Sequence, residues 1–341
     1  MSPFKFILRL AISGMVAFGL TATTVYAQTD PLPSWNDGPA KSAILEFVAR
    51  TTTAGSPDFV PVEERIAAFD QDGTLWVEQP AYAEFQFIFD RIPALVKAHP
   101  ELAKQPVFSA ILSKDAAKIG ALSQRSLIEA AVLALSGMTP ETLSKEVNDW
   151  LKTARHPRWN RPYIDMTYLP MQEVLKLLRA NGYRTFIATG GNAGFVTPYS
   201  QQFYGIPPEQ VAGSSQQLEF KIVNGKPKLI RTPKLALDNM EAGKIENFHM
   251  IYGRTPRAQF GNSSADDQQA LQYVKNSPGL RLSVAILHDD AEREYAYGPA
   301  QGLPYSAIGT FSQEMYDLGK KEGWVIVSMK KDWKKIFAFE K

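Results

Sequence analysis

The chain has no cysteine among its 341 residues. That excludes disulfide staples, thiolate nucleophiles and cysteine-ligated metal centres, so stability must come from a conventional core. Histidine is almost as scarce, with four in all. His99, His156 and His249 lack the spacing that brings imidazoles to one ion, which argues against a zinc site. Neither sign of charge is in excess: 37 Lys and Arg stand against 35 Asp and Glu, a formal net charge of +2. There is no basic tail and no block of like charge, so nucleic acid is not an expected partner. Internal repeats and low-complexity tracts are also missing.

The one long apolar run lies at the start. Lys5 and Arg9 precede an apolar stretch, Leu10 to Ala22, and Val25-Tyr26-Ala27 gives a small-x-small pattern before Gln28. This is the form of a secretory signal peptide over residues 1–27, and it predicts export to the periplasm or beyond. The run is short for a bilayer span, which needs about 20 residues, so no stable membrane anchor is expected. Residues 1–27 carry two cations and no acid, so the mature chain is close to neutral. Its length suits one large domain or a domain with an insertion.

Residues 28–39 carry Pro31, Pro33 and Pro39 and read as an extended leader. Lys41 to Thr52 has helical periodicity, with Ile44, Leu45, Phe47 and Val48 on one face. Four short apolar runs then end in acids, small residues or glycine: Arg65 to Phe69, Tyr183 to Ala188, Arg257 to Phe260 and Leu282 to Leu287. Buried parallel strands with functional groups at their carboxyl ends look like this. Helical patterns separate them at Met171 to Ala180, Lys244 to Tyr252 and Asp267 to Val274. The alternation predicts an α/β fold in three layers, a parallel sheet with helices on both faces. The gap between the first two runs is too long for one crossover. It holds helical patterns at Tyr82 to Ala98, Ser123 to Leu135 and Glu141 to Ala154, the last capped by Thr139 with Pro140 at its first turn. Residues 78–168 therefore read as an inserted helical cap, and 28–77 with 169–341 as the core. A hairpin is expected between Val211 and Pro233, turning at Asn224-Gly225.

The residues that carry chemistry begin with Asp70-Gln71-Asp72-Gly73-Thr74, placed where a strand ends. Acids at i and i+2 point alike on a continuing strand, and Gly73 lets the chain turn. Paired carboxylates suit a hard cation such as magnesium, and one can attack phosphorus while the other handles protons. A calcium-binding EF-hand loop does not fit, because Thr74 stands at its fifth position and Ala81 at its twelfth.

Four segments in order resemble the haloacid dehalogenase (HAD) superfamily. They are Asp70 to Leu75, Thr189 closing a strand, Lys244 after Gly243, and Gly261-Asn262-Ser263-Ser264-Ala265-Asp266. A finer resemblance, to exported phosphoserine-phosphatase-like members, rests on His156 to Tyr163 and Asp290 to Tyr297. The resemblance implies a Rossmann-like core and a Mg2+-dependent phosphatase acting on a small phosphate ester. It makes Asp70 the nucleophile and Asp72 the acid and base. Thr189, with the amides of Gly190 and Gly191, would hold a phosphoryl oxygen, and Lys244 would neutralise charge. The metal would be held by Asp70, Asp72, Asn262 and Asp266. Asn262 departs from the family, which has Asp there, and this predicts a weaker metal site because an amide brings no charge. Dehalogenases of the superfamily lack the second acid, so Asp72 favours phosphate esters.

Glu78 is a candidate substrate-sensing acid, with a solvent-facing helix acid as the alternative. Arg161 and Arg158 could meet a phosphate or a substrate carboxylate. Trp76 is expected to pack, and His288 and Asp290 to make structural hydrogen bonds. A serine hydrolase is excluded because only Asp266 and Asp267 lie between Ser263 and the last histidine, His288. A P-loop is excluded because Ile245 follows Lys244. Two alternatives stay open: an exported binding protein on a decayed HAD scaffold, and a phosphotransferase of the same superfamily. Neither the ester nor the oligomeric state is legible.

Overall fold

In the computed structural model, which describes residues 30–340, all four apolar runs are parallel strands. The expected signal peptide lies outside the described residues. Seven strands form one sheet: β1 (Ile66–Phe69), β2 (Arg184–Asn192), β3 (Val211–Val223), β4 (Lys226–Leu237), β5 (Ala258–Gly261), β6 (Leu282–Leu287) and β7 (Val325–Ser328). Their order is β4-β3-β2-β1-β5-β6-β7, and only β4 runs antiparallel to its neighbour. β1 is central, with Phe69 in register with Ile187 on one side and Phe260 on the other.

β1 and β6 are buried at every position, as strands covered on both faces must be. The two-residue period of β1 divides its side chains between two cores. Ala67 and Phe69 join Val174, Leu175 and Leu178 from the helix Leu169–Ala180. Ile66 and Ala68 join Phe248, Tyr252, Ala270 and Val274 on the opposite face. The three-layer expectation is met. β7 is an additional strand, formed by the apolar residues that follow Trp324, and pairs with β6 through Val284 and Val325. The hairpin is longer than expected and reaches Leu237. Its turn residues Asn224 and Gly225 have φ of 53° and 71°, the left-handed pair that a tight two-residue turn requires.

Between β1 and β2 lie the helices Ala83–Ala98, Pro106–Ser113, Ala116–Gly120, Gln124–Leu135 and Pro140–Thr153. Asp115, Ser123 and Thr139 cap three of them by accepting from backbone amides of the first turn. This helical segment is stitched to the hairpin. Gly137 N donates to Arg231 O at 2.9 Å, Arg231 N donates to Met138 O at 2.9 Å, and Gln216 Nε2 donates to Val132 O at 2.9 Å. The leader is pinned by Trp35, whose ring meets Trp333 edge-on at 5.8 Å and whose Nε1 donates to Pro170 O. No helix among the described residues is long and apolar enough to cross a membrane.

Candidate active site

Strand ends deliver the candidate acids. Asp70 follows β1, and its amide donates to Phe260 O at 2.9 Å, holding the strand end against β5. The chain then turns through Gly73, at φ +73°, whose amide donates to Trp76 O. A Cβ there would collide with the side chains of Asn262 and Glu78, so the turn needs glycine for space as well as for its φ. Trp76 is fully buried against Tyr163 and Tyr199, and its Nε1 donates to Asp72 Oδ1 at 2.7 Å. Burial pushes the Asp72 carboxyl up to about 6, although the indole bond favours the anion.

Lys244 lies in the helix Ala242–Asn247 with its side chain wholly buried. Its Nζ reaches Asp70 Oδ1 at 2.9 Å, Asp266 Oδ2 at 2.5 Å and Asp267 Oδ1 at 2.6 Å. Burial alone would lower the Lys244 pKa, but three carboxylates outweigh it, and the ammonium is held well above its usual range. Asp70 is pushed well up by burial and by the neighbouring Asp267, against the pull of Lys244. Asp266 rises to about 6 for the same leading reason. One cation among Asp70, Asp72, Asp266 and Asp267 leaves a surplus of buried negative charge, which is costly without a further counter-charge. Asp266 Oδ1 is buried without a partner, and single oxygens of Asp70, Asp266 and Asp267 lie within 4.8 Å of one another. Hard oxygen donors with an unpartnered atom and a charge deficit fit a divalent cation such as magnesium.

Thr189 sits in β2 just before its pairing with β3 is broken by a bulge. Its Oγ1 accepts from Gly191 N at 3.0 Å, which leaves the hydroxyl hydrogen to donate elsewhere. The next amide, Asn192 N, donates to Glu84 Oε2 at 2.9 Å. Asp70, Asp72, Thr189, Gly190, Gly191 and Asp266 all line one cavity of about 600 Å³. From the helical segment the lining takes Phe85, Ile128 and Val132 together with the charged Glu84, Arg125 and Glu129.

The other expected residues divide. Glu78 lines the cavity but is only 2% exposed, so the solvent-facing alternative is wrong. Its Oε1 accepts from Asn262 Nδ2 at 2.6 Å and from Tyr297 OH at 2.7 Å. Asn262 is fully enclosed, with Oδ1 turned to the Thr74 hydroxyl at 3.4 Å. Arg161 is not brought to the cavity: it pairs with Asp165 at 3.3 Å and lies 4.3 Å over the Phe339 ring. Arg158 donates to the carbonyls of Ala291, Glu292 and Glu294 and is likewise structural. Asp290 pairs with Arg293 at 2.6 Å, the structural role expected of it.

The haloacid dehalogenase-like hydrolase family model matches residues 67–244, more than half of the chain. The chain belongs to that family. Among solved structures, this HAD chain is similar to a protein of unknown function from Bordetella pertussis Tohama I, at 14% identity over 77% of this chain and 98% of that one, with a TM-score of 0.48. It is also similar to a functionally unknown protein from Anaerococcus prevotii, at 14% identity over 73% and 86%, with a TM-score of 0.49. A third is a phosphoserine phosphohydrolase-like protein from Francisella tularensis, at 16% identity over 66% and 88%, with a TM-score of 0.36. No curated protein matches the chain.

Two residues of this HAD site were not singled out in the sequence. Asp267 is fully buried and its Oδ2 accepts from the amides of Asn262 and Ser263, at 2.9 and 3.0 Å. The doubled acid Asp266-Asp267 was the available signal. Glu84 gave no signal, because an acid in the first turn of an amphipathic helix is ordinary; burial pushes its carboxyl up to about 7.

Proposed function

We propose that this HAD protein is a phosphomonoester hydrolase acting on a small organic phosphate through an aspartyl-phosphate intermediate. The observation that carries the reading is Asp70, buried beside the Lys244 ammonium and facing the same cavity as Asp72 and Thr189. An Asp70 carboxylate oxygen bonds to phosphorus as the ester P–O bond breaks, and the protonated Asp72 gives its proton to the leaving oxygen. In the second half Asp72 takes a proton from water, which attacks phosphorus, and the acyl–phosphate bond breaks to restore Asp70. The free hydroxyl hydrogen of Thr189 and the Lys244 charge neutralise the phosphoryl oxygens, the main requirement of this chemistry.

Asp70, Asp266, the Asp72 carbonyl and the Asn262 amide oxygen would hold magnesium. When bound, the ion supplies positive charge to the transferring phosphoryl group. The leader pattern supports export to the periplasm or beyond, checked by amino-terminal sequencing of the exported protein. Phosphate release from p-nitrophenyl phosphate, with magnesium and with EDTA, tests the activity. Turnover that EDTA abolishes and magnesium restores is expected. No release with any divalent metal would overturn the reading.

A further inference from the structure

Behind the turn that follows Asp72 lies a buried hydrogen-bonded chain whose histidine and tyrosine take no part in the proposed reaction. It comes from the segment after β6. His288 is 1% exposed, and its Nε2 lies 2.9 Å from the carbonyl oxygen of Gly73. A carbonyl only accepts, so Nε2 carries the hydrogen and donates to Gly73. The other nitrogen, Nδ1, lies 3.2 Å from Glu294 Oε2. Glu294 is fully buried and is itself fixed by the Tyr295 amide at 2.7 Å and the Tyr168 hydroxyl at 3.2 Å. The imidazole ring stacks on Tyr297 at 4.5 Å, and the Tyr297 hydroxyl donates to Glu78, which in turn accepts from Asn262. Two arms therefore leave one rigid stack. The His288 arm grips the backbone directly after Asp72, and the Tyr297 arm reaches, through Glu78, the side chain at the end of β5.

We propose that His288 and Tyr297 are positioning residues for the phosphatase reaction: His288 sets the Gly73 peptide, and with it Asp72, while Tyr297 sets Asn262 through Glu78. The inference rests on the phosphatase reading. A backbone carbonyl in the middle of a tight turn has no helix or sheet partner to orient it, so a buried donor decides where the turn sits. Misplacing a reacting group by a fraction of an ångström lowers the rate of the chemical step and leaves substrate binding largely alone. Neither residue touches the reacting atoms. Glu294 has the further job of holding the ring so that Nε2 faces Gly73, as outer partners do for functional histidines.

The test measures kcat and KM of the full chain with p-nitrophenyl phosphate and magnesium for the wild type, His288→Leu, His288→Gln and Tyr297→Phe, with thermal melts of each. Leu removes the donor, whereas the Gln amide places an N–H where Nε2 was. The expected result is a fall in kcat of about tenfold or more for His288→Leu at a KM within about twofold of the wild type. His288→Gln should recover most of that loss, and Tyr297→Phe should also lower kcat and weaken the magnesium dependence of the melt. Equal kcat in wild type and folded His288→Leu would overturn the proposal. So would loss in His288→Leu and His288→Gln alike, in step with the folded fraction. A wild type that turns over nothing would overturn the phosphatase reading and this inference with it, whereas an active wild type with an unaffected His288→Leu overturns the inference alone.

Discussion

Asp70 and Lys244 form the contact on which the proposed chemistry depends, and each answers to the other's charge. The Asp70 carboxyl is pushed well up by burial, so its anion is a cost to the folded state that Lys244 only partly offsets. Asp70→Asn should therefore lower kcat on the order of 10⁴-fold or more, while the melting temperature stays level or rises. Retained turnover in that variant would place the nucleophile elsewhere. Asn262 makes the opposite case. Its Nδ2 donates to Glu78 at 2.6 Å, so Asn262→Asp sets two carboxylates against each other in a buried site. Without metal that variant should lose about 1–3 kcal/mol by denaturant titration. With magnesium it should recover and show a larger metal-induced rise in melting temperature than the wild type. An unchanged response to magnesium would put Asn262 outside the metal shell. Of the four candidate residues, Asp70 and Asp72 were legible as paired acids at a strand end, whereas Thr189 and Lys244 were marked only by the resemblance to the HAD family. The partner of Asn262 was not legible: Glu78 lies 184 residues away, and only folding brings them together.

Among the elements, the segment from His288 to Tyr297 joins β6 to the turn after β1. Burial pulls the His288 pKa down, but the bond and charge of Glu294, the charge of Glu78 and the Gly73 carbonyl outweigh it, leaving it above its ordinary value. A folded-state pKa above the unfolded one contributes stability that is complete below about pH 6.5 and is lost as pH rises through the folded value. The urea midpoint of the wild type should thus exceed that of His288→Gln most at pH 5.5 to 6, with the gap shrinking towards pH 9. A gap that widens with pH would mean that His288 is neutral in the folded protein. The strand pattern around this segment was readable from its apolar runs, and the expected structural role of His288 is met by its two hydrogen bonds. Which carbonyl it grips was not readable, because periodicity reports the face of an element and not its neighbour across the sheet. Arg161 was misread for the same reason: a cation near a domain junction has no sequence mark saying which side of the chain faces the cavity.

On the scale of the whole molecule, the two ends of the described chain meet. Trp35 from the leader is fully buried against Trp333 near the carboxyl end, and the Ser34 hydroxyl donates to Glu173 at 2.7 Å. Replacing Trp35 by Ala empties a large buried volume and strands the carbonyl of Pro170, so unfolding in urea should be easier by about 3–5 kcal/mol. A loss under about 1 kcal/mol would show the leader to be a detachable arm. The helical segment is tied into the same body through backbone hydrogen bonds to β4 at Gly137 and Met138. Through that attachment Phe85, Ile128 and Val132 stay in the lining of the cavity that Asp70 and Thr189 also line.

The amino-acid sequence by itself determined the layer order, the parallel strands around Asp70, the hairpin turn at Asn224-Gly225 and the paired acids Asp70 and Asp72. All of these follow from local rules: period, capping, turn chemistry and the pairing of acids at a strand end. Only the tertiary structure decided that Lys244 is shared by three carboxylates, that Trp76 holds Asp72, that Glu78 faces Asn262 and Tyr297, and that His288 grips Gly73. Most of these contacts join residues far apart in the chain. Their energies depend on burial and on the charges gathered around each group, quantities that exist only once the chain has closed on itself.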